Sequence, residues 1–133
     1  VAGIGRGQLT VLNERVKKKS YIYEFYKREL GKLDGIEIMP SNKGDSPNYW
    51  LSSILLTGEI RPIEVIEELE KENIESRPVW KPMHLQPFFE TYDFIGYDVS
   101  EKLFENGVCL PSDTKMKVED LEKIIKTIKG LWS

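Results

Sequence analysis

The sequence has 133 residues, of which 40% are hydrophobic and 31% charged, and its formal net charge is −3. This length suits one domain with a core of its own. No apolar run approaches the roughly 18 residues that a membrane-spanning helix needs, so no membrane span is predicted. The two signs of charge are well mixed, and the one basic run, at 17–19, falls on a predicted helix, so nucleic acid is not an expected partner.

Cysteine and histidine each occur once. They cannot supply the roughly three or four ligands of a zinc site, so no metal is expected. Cys109 stands in a short apolar run, which favours a buried thiol over a nucleophile. A single thiol cannot form an internal disulfide and no signal peptide is recognised, so a cytoplasmic location is expected.

The first half of the chain predicts a long helix and two strands. Apolar residues recur at helical spacing over residues 8–30, and glycines follow. Residues 36–39 alternate as a half-buried strand does. After a polar loop, residues 50–56 are apolar enough for a central strand.

A second helix is predicted to begin at Pro62, which suits a first helical position, and to end near Glu72. Ile63, Ile66 and Leu69 mark its expected buried stripe. The segment after this helix is a strand or a loop.

The last third predicts a short helix, a strand and a terminal helix. Asp98 and Glu101 have the spacing of a capping box ahead of the short helix. Residues 107–111 form a short apolar strand, and the terminal helix starts near Val118 behind Lys117, which is a weak cap.

This order of elements predicts an α/β (α+β) domain. Its small mixed, mainly antiparallel sheet has about three strands and is covered by helices mainly on one face. So small a sheet leaves its other face needing cover, which fits a domain that packs against something else.

Residues 75–87, ESRPVWKPMHLQP, combine two cations, a Trp, the only His and three prolines. The prolines preclude a regular helix and pre-order the loop, which lowers the entropy lost on binding. Arg77 offers a planar fork for phosphate or carboxylate, and Lys81 a mobile charge. Trp80 offers a flat apolar surface, and His84 a donor or acceptor near neutral pH.

The cluster predicts a site for an anionic ligand that bears a ring. The alternative is structural: the cations would form surface ion pairs, Trp80 would fill the core and His84 would satisfy a backbone carbonyl. The glycine-rich segment at 3–7 lacks a preceding strand, a GxGxxG pattern and a Walker lysine, which favours close helix packing over a nucleotide loop. No pair of catalytic carboxylates is recognisable.

Segments 4–16, 73–87 and 103–112, taken in order along essentially the whole chain, resemble the DegT/StrS sugar aminotransferases. The resemblance is greatest to members that aminate 4-keto nucleotide sugars. It implies a pyridoxal phosphate-dependent enzyme of the aspartate aminotransferase fold, a homodimer with active sites at the subunit interface, and glutamate as amino donor.

Only the smaller, C-terminal domain of that family is matched. The resemblance therefore implies that residues 1–133 are a single domain and a fragment of a larger aminotransferase, as the missing initiator Met also suggests. The Schiff-base lysine and the other pyridoxal phosphate ligands would belong to an N-terminal cofactor domain. The fragment is accordingly expected to contain no catalytic or cofactor-binding residue, to bind no pyridoxal phosphate and to be inactive alone.

The same resemblance implies that Arg77, Trp80, Lys81 and His84 bind substrate at the mouth of the active site. The two cations would face anionic groups of the donor or the nucleotide sugar, and His84 a sugar hydroxyl or carbonyl. Lys81 matches a position of the C-terminal domain and not the Schiff-base lysine. The parent enzyme would act in polysaccharide or glycan precursor biosynthesis. The competing hypothesis is a stand-alone, non-enzymatic module that binds sugars or a protein.

Overall fold

A computed structural model describes residues 2–132 of the chain. In chain order, the helices and strands are α1 (Ala2–Leu30), β1 (Ile36–Ile38), β2 (Ser52–Leu56), α2 (Pro62–Lys71), β3 (Arg77–Pro78), α3 (Val99–Asn106), β4 (Gly107–Leu110) and α4 (Val118–Gly130), with a 3-10 turn at Met83–Leu85 between β3 and α3. None of the helices in this described part combines the length and apolar character needed to cross a membrane.

The strands form one sheet in the order β1-β2-β4-β3, and all neighbouring pairs are antiparallel. The predicted fold class is confirmed, although the sheet has four strands and contains no parallel pair. The additional strand, β3, is short: Arg77 pairs with Cys109 and Pro78 with Val108. Proline is tolerated there because β3 lies at the sheet edge, where one side of the strand needs no ladder partner.

Helices α1, α2 and α4 enclose the core on one face of the sheet. The burial of β2 alternates along the strand, with Ile54 and Leu56 facing this core. The residues with no exposed surface in the core are Leu30, Val65, Leu69, Val108 and Ile128.

The stripe predicted for α2 is partly wrong. Leu69 is fully buried as expected, but Ile63 is 48% exposed and Val65 takes the core position with 0% exposure. Ile66 is half-buried against the cluster.

The first helix is longer than predicted, since it already includes Ala2. Gly3, Gly5 and Gly7 lie on its exposed first turns, and nothing among residues 2–132 comes within 4 Å of a Cβ added at any of them. The prediction that these glycines allow close packing of another element is therefore wrong for the described part of the chain.

Candidate active-site groove

An open groove of about 610 Å³ runs along the edge of the sheet formed by β3 and β4. Its walls come from the segment before β2, the segment around β3, one side chain of α3 and the end of β4. Arg77, Trp80 and Lys81 line it, but His84 does not. The structure thus brings together three of the four predicted residues.

Arg77 and Lys81 are the groove's cationic side chains. Arg77 is exposed, and its Nε donates to Oε1 of Glu75 at 2.8 Å while its Nη2 contacts the same oxygen. Both side chains of this ion pair are largely exposed, so the pair contributes little to stability. Lys81 is exposed and makes no ion pair with residues 2–132.

Trp80 does not fill the core, because 63% of its surface is exposed. It faces Trp50, whose exposure is 65%, with the ring centroids 6.0 Å apart and the ring planes 31° apart. The predicted central strand included Trp50, but β2 begins at Ser52 and leaves this ring on the groove.

His84 lies outside the groove and is held by α3 and the preceding loop. Its Nε2 is 2.9 Å from Oε1 of Glu101, and its ring stacks on Phe94 with centroids 3.7 Å apart. Only 15% of its side chain is exposed. The predicted capping box is absent, because Glu101 contacts His84 and Asp98 makes no side-chain cap bond. These contacts tie the 3-10 turn at Met83–Leu85 to α3 and to the loop that precedes it.

The floor of the groove includes Cys109, which is buried as predicted. Its Sγ lies 3.5 Å from Oγ of Ser53 on β2. Because Cys109 is not in the core cluster and pairs across strands with Ser53 and Arg77, these three residues mark the sheet face that the helical core leaves free.

Hydrogen bonds from α1 hold two sides of the groove in place. The Lys19 ammonium donates to the carbonyl oxygen of Trp50 at 2.9 Å and also to that of Ser112. Burial lowers the pKa of Lys19, and Asp113 partly opposes that shift. The Tyr26 hydroxyl donates to the carbonyl oxygen of Pro111 at 2.8 Å, and burial raises its pKa well above the usual range.

A second groove, of about 620 Å³, separates α1 from α4. Three of its charged side chains pair with one another: the carboxylate of Glu29 lies 3.0 Å from Nε of Arg28 and 3.0 Å from Nζ of Lys129. Hydrogen bonds from Arg28 and Lys129 lower the pKa of Glu29. The β3–β4 groove is the better candidate, because it presents two exposed indole rings beside its cationic side chains.

The residues that line the β3–β4 groove supply only part of what pyridoxal phosphate needs. That cofactor needs an available lysine amine, an acidic partner for its ring nitrogen and a phosphate cradle. A lysine amine is present at Lys81, but Glu75, the only carboxylate side chain among the lining residues, is paired with Arg77. No group of three or more His, Cys, Asp or Glu side chains within residues 2–132 is arranged to hold a metal ion.

The fold is that of an aminotransferase domain. The aminotransferase TlmJ from Streptoalloteichus hindustanus superposes with a TM-score of 0.85 at 24% identity, over 97% of this chain and 35% of that one. Residues 1–129 match the sequence model of the DegT/DnrJ/EryC1/StrS aminotransferase family, and the chain belongs to that family.

Two curated relatives are similar over nearly the whole chain. EpsN of Bacillus subtilis, assigned as a pyridoxal phosphate-dependent aminotransferase, is 39% identical over 136 residues, which cover 99% of this chain and 35% of EpsN. GDP-perosamine synthase of Vibrio cholerae is 30% identical over 99% of this chain and 36% of its own length. The chain thus spans about a third of the length of the curated relatives it matches.

Proposed function

We propose that this chain is the C-terminal domain of a pyridoxal phosphate-dependent aminotransferase that aminates a keto nucleotide sugar, and that it is inactive alone. The observation that carries this proposal is the groove, on which Arg77, Trp80 and Lys81 are presented together. Membership of the aminotransferase family and the match to about a third of each relative support the same assignment.

In this proposal the chain binds and orients substrate, and a larger N-terminal domain holds the cofactor. Arg77 and Lys81 pair with the anionic groups of the nucleotide sugar or of glutamate. Trp80 covers a ring face and excludes water. The complete enzyme is a cytoplasmic homodimer that supplies an amino sugar for polysaccharide or glycan precursors.

We propose that His84 acts chiefly by positioning the loop that carries it. Its Nε2 is engaged by Glu101 and its ring by Phe94, so the contact with a sugar hydroxyl or carbonyl would have to come from Nδ1 or after the loop moves. The clamp it forms with Glu101 keeps Trp80 and Lys81 at the groove.

The decisive experiment is to follow the reading frame upstream and to express its complete product. We expect that product to bind pyridoxal phosphate and to transfer the amino group of glutamate to a keto nucleotide sugar, while residues 1–133 alone do neither. A frame that encodes no cofactor domain, together with tight sugar binding by residues 1–133, would instead establish the stand-alone binding module.

In the complete product, Arg77→Ala is expected to lower kcat/KM for the anionic substrate about tenfold, chiefly through KM, because a binding interaction is removed. The matched control is Arg61→Ala, which removes an exposed arginine that lies away from the groove lining. Steady-state kinetics with both substrates measure the effect. If Arg77→Ala and Arg61→Ala are equally active with both substrates, Arg77 is not a substrate residue.

A further inference from the structure

Residues 88–97, which we name the strap, present large apolar side chains to solvent. The strap joins the 3-10 turn at Met83–Leu85 to α3. Every residue from 90 to 100 is exposed, and the exposed fraction reaches 98% for Ile95 and 87% for Tyr97. Apolar surface in water retains a free energy gain on burial, so a segment that exposes several such side chains is expected to cover another surface.

The loop that contains the strap begins and ends at the β3–β4 groove. Lys81 and Phe104 line the groove, whereas none of residues 82–103, all of which the structure describes, does. The backbone closes the base of this loop, because the Val79 N–H donates to the carbonyl oxygen of Gly107 at 3.1 Å. The strap is therefore carried by a loop whose two ends meet beside the groove while its middle stands off it. Such a loop can swing over the groove without breaking the sheet.

One ring contact holds the middle of the strap. Phe94 stacks on the His84 ring, with the centroids 3.7 Å and the planes 17° apart. The tip of the Phe94 ring rests against the backbone, since a Cβ added at Gly96 would lie 2.5 Å from its Cζ. Among the described residues, the other hydrogen bonds and ring contacts of the strap join positions at most three apart. A single ring stack changes an equilibrium by only about two- to tenfold, so this contact is easily exchanged for another.

The groove offers the strap a surface to cover. Trp50 and Trp80 expose about two thirds of their surface there. Closure over a bound molecule would remove these rings and the apolar side chains of the strap from water together. A ligand closes a loop only when it binds the closed state better, and contacts that exist only after closure supply that difference.

We propose that the strap closes over the substrate in the β3–β4 groove, and that the stack of Phe94 on His84 is the latch that holds the strap open. The inference rests on the proposed function, since that function places a nucleotide sugar in the groove. It gives the strap the task of excluding water from the bound substrate. The imidazole keeps its hydrogen bond to Glu101 when Phe94 leaves it, so the 3-10 turn stays in place while the strap moves.

Limited proteolysis of the 133-residue chain tests the latch. Subtilisin cuts released segments with little regard to sequence, so a substitution does not remove its cleavage sites. We expect Phe94→Ala to speed cutting within the strap about three- to tenfold, because the released population rises. Gly96→Ala should do the same, since its Cβ displaces the Phe94 ring from the stack. Both positions are exposed, and circular dichroism checks that the two chains keep the fold.

Tyr97→Ala is the matched control, because Tyr97 lies in the strap, is exposed and makes no ring contact within residues 2–132. Its cutting rate should change by less than about twofold. In the complete product, closure is tested with two unreactive probes, uridine diphosphate N-acetylglucosamine and guanosine diphosphate mannose, each at about 10 mM. We expect at least one to slow cutting of the strap about tenfold or more and to leave cutting of the exposed 41–46 loop unchanged.

The same probe distinguishes a latch from a merely structural contact. Phe94→Ala in the complete product should tighten binding of the protecting nucleotide sugar about three- to tenfold, since the stack no longer opposes closure. A contact that only supported the fold would weaken binding when removed. Isothermal titration calorimetry measures the change.

Three results would overturn the inference. Phe94→Ala and Gly96→Ala chains that are cut no faster than the Tyr97→Ala chain would remove the latch, and a strap that neither nucleotide sugar protects would remove the closure. Protection that follows chain concentration instead of nucleotide sugar would assign the strap to a contact between copies. The proposed function is judged separately, by amination: an active aminotransferase with an unprotected strap keeps that function, and a protected strap in an inactive product keeps the inference.

Discussion

Leu69→Ala is expected to lower the free energy of unfolding by about 2–5 kcal/mol, the range measured for large-to-small changes in well-packed cores. Leu69 lies on α2 with no exposed surface and belongs to the core cluster that α2 shares with the sheet and α4. Truncation removes buried methyl groups and leaves a cavity that the surrounding helices and strands fill only in part.

Ile63→Ala on the same helix is the matched control. Because 48% of Ile63 is exposed, its truncation should cost less than about 1 kcal/mol. Urea unfolding of the two variants, followed by circular dichroism, measures both values. Equal losses would mean that Ile63 is a core residue and that α2 is rotated from the orientation described above.

Helix geometry explains why the sequence pattern failed at Ile63. At about 100° per residue, positions 63 and 69 are some 120° apart around a helix, whereas positions 65 and 69 are some 40° apart. Position 66 lies between 63 and 69, some 60° from each, so the predicted stripe was centred too far from Val65. Leu69 was predicted correctly because either choice of stripe includes it, whereas Ile66 lies at the margin and is half-buried.

Only the part of the candidate site that lies within one loop could be predicted from the sequence. Arg77, Trp80 and Lys81 are close in the chain and lie on the same side of the sheet edge, so their joint position on one groove followed from the loop. Trp50 was missed because it joins them only through the register of β2, β4 and β3, which the sequence does not specify.

At His84, a tertiary contact takes the place of the predicted capping box. The spacing of Asp98 and Glu101 predicted a capping box, but the Glu101 carboxylate forms a hydrogen bond with an imidazole from another segment. Phe94, which stacks on that imidazole, carried no sequence signal of its own. A contact between two loops depends on tertiary packing, and a single sequence carries no periodic pattern for it.

Gly107→Ala is expected to destabilise the chain by about 3 kcal/mol, at the upper end of the range for overpacking. Gly107 ends α3 and begins β4, and its backbone is in an ordinary extended conformation, so the cost comes from space. An added Cβ would lie 2.5 Å from Cγ2 of Val79 and would also overlap the carbonyl oxygen of Leu103. Since that oxygen belongs to the backbone of α3, flexible side chains cannot absorb the whole overlap.

The same substitution should displace the groove. The Val79 N–H donates to the carbonyl oxygen of Gly107 at 3.1 Å, and Val79 directly precedes Trp80, so a shift of Val79 moves the indole away from Trp50. In a proton–nitrogen correlation spectrum, we expect the indole N–H resonance of Trp80 to shift and that of Trp132 to stay. Gly7→Ala is the control of opposite sign: its Cβ would meet open space on α1, and the change should be neutral or stabilise by up to about 1 kcal/mol. A Gly107→Ala chain as stable as the unmodified one, with an unmoved Trp80 resonance, would contradict this prediction. It would show that β4 and the 79–81 segment can separate without cost. The groove would then lack the rigid wall on which its proposed ligand contacts depend.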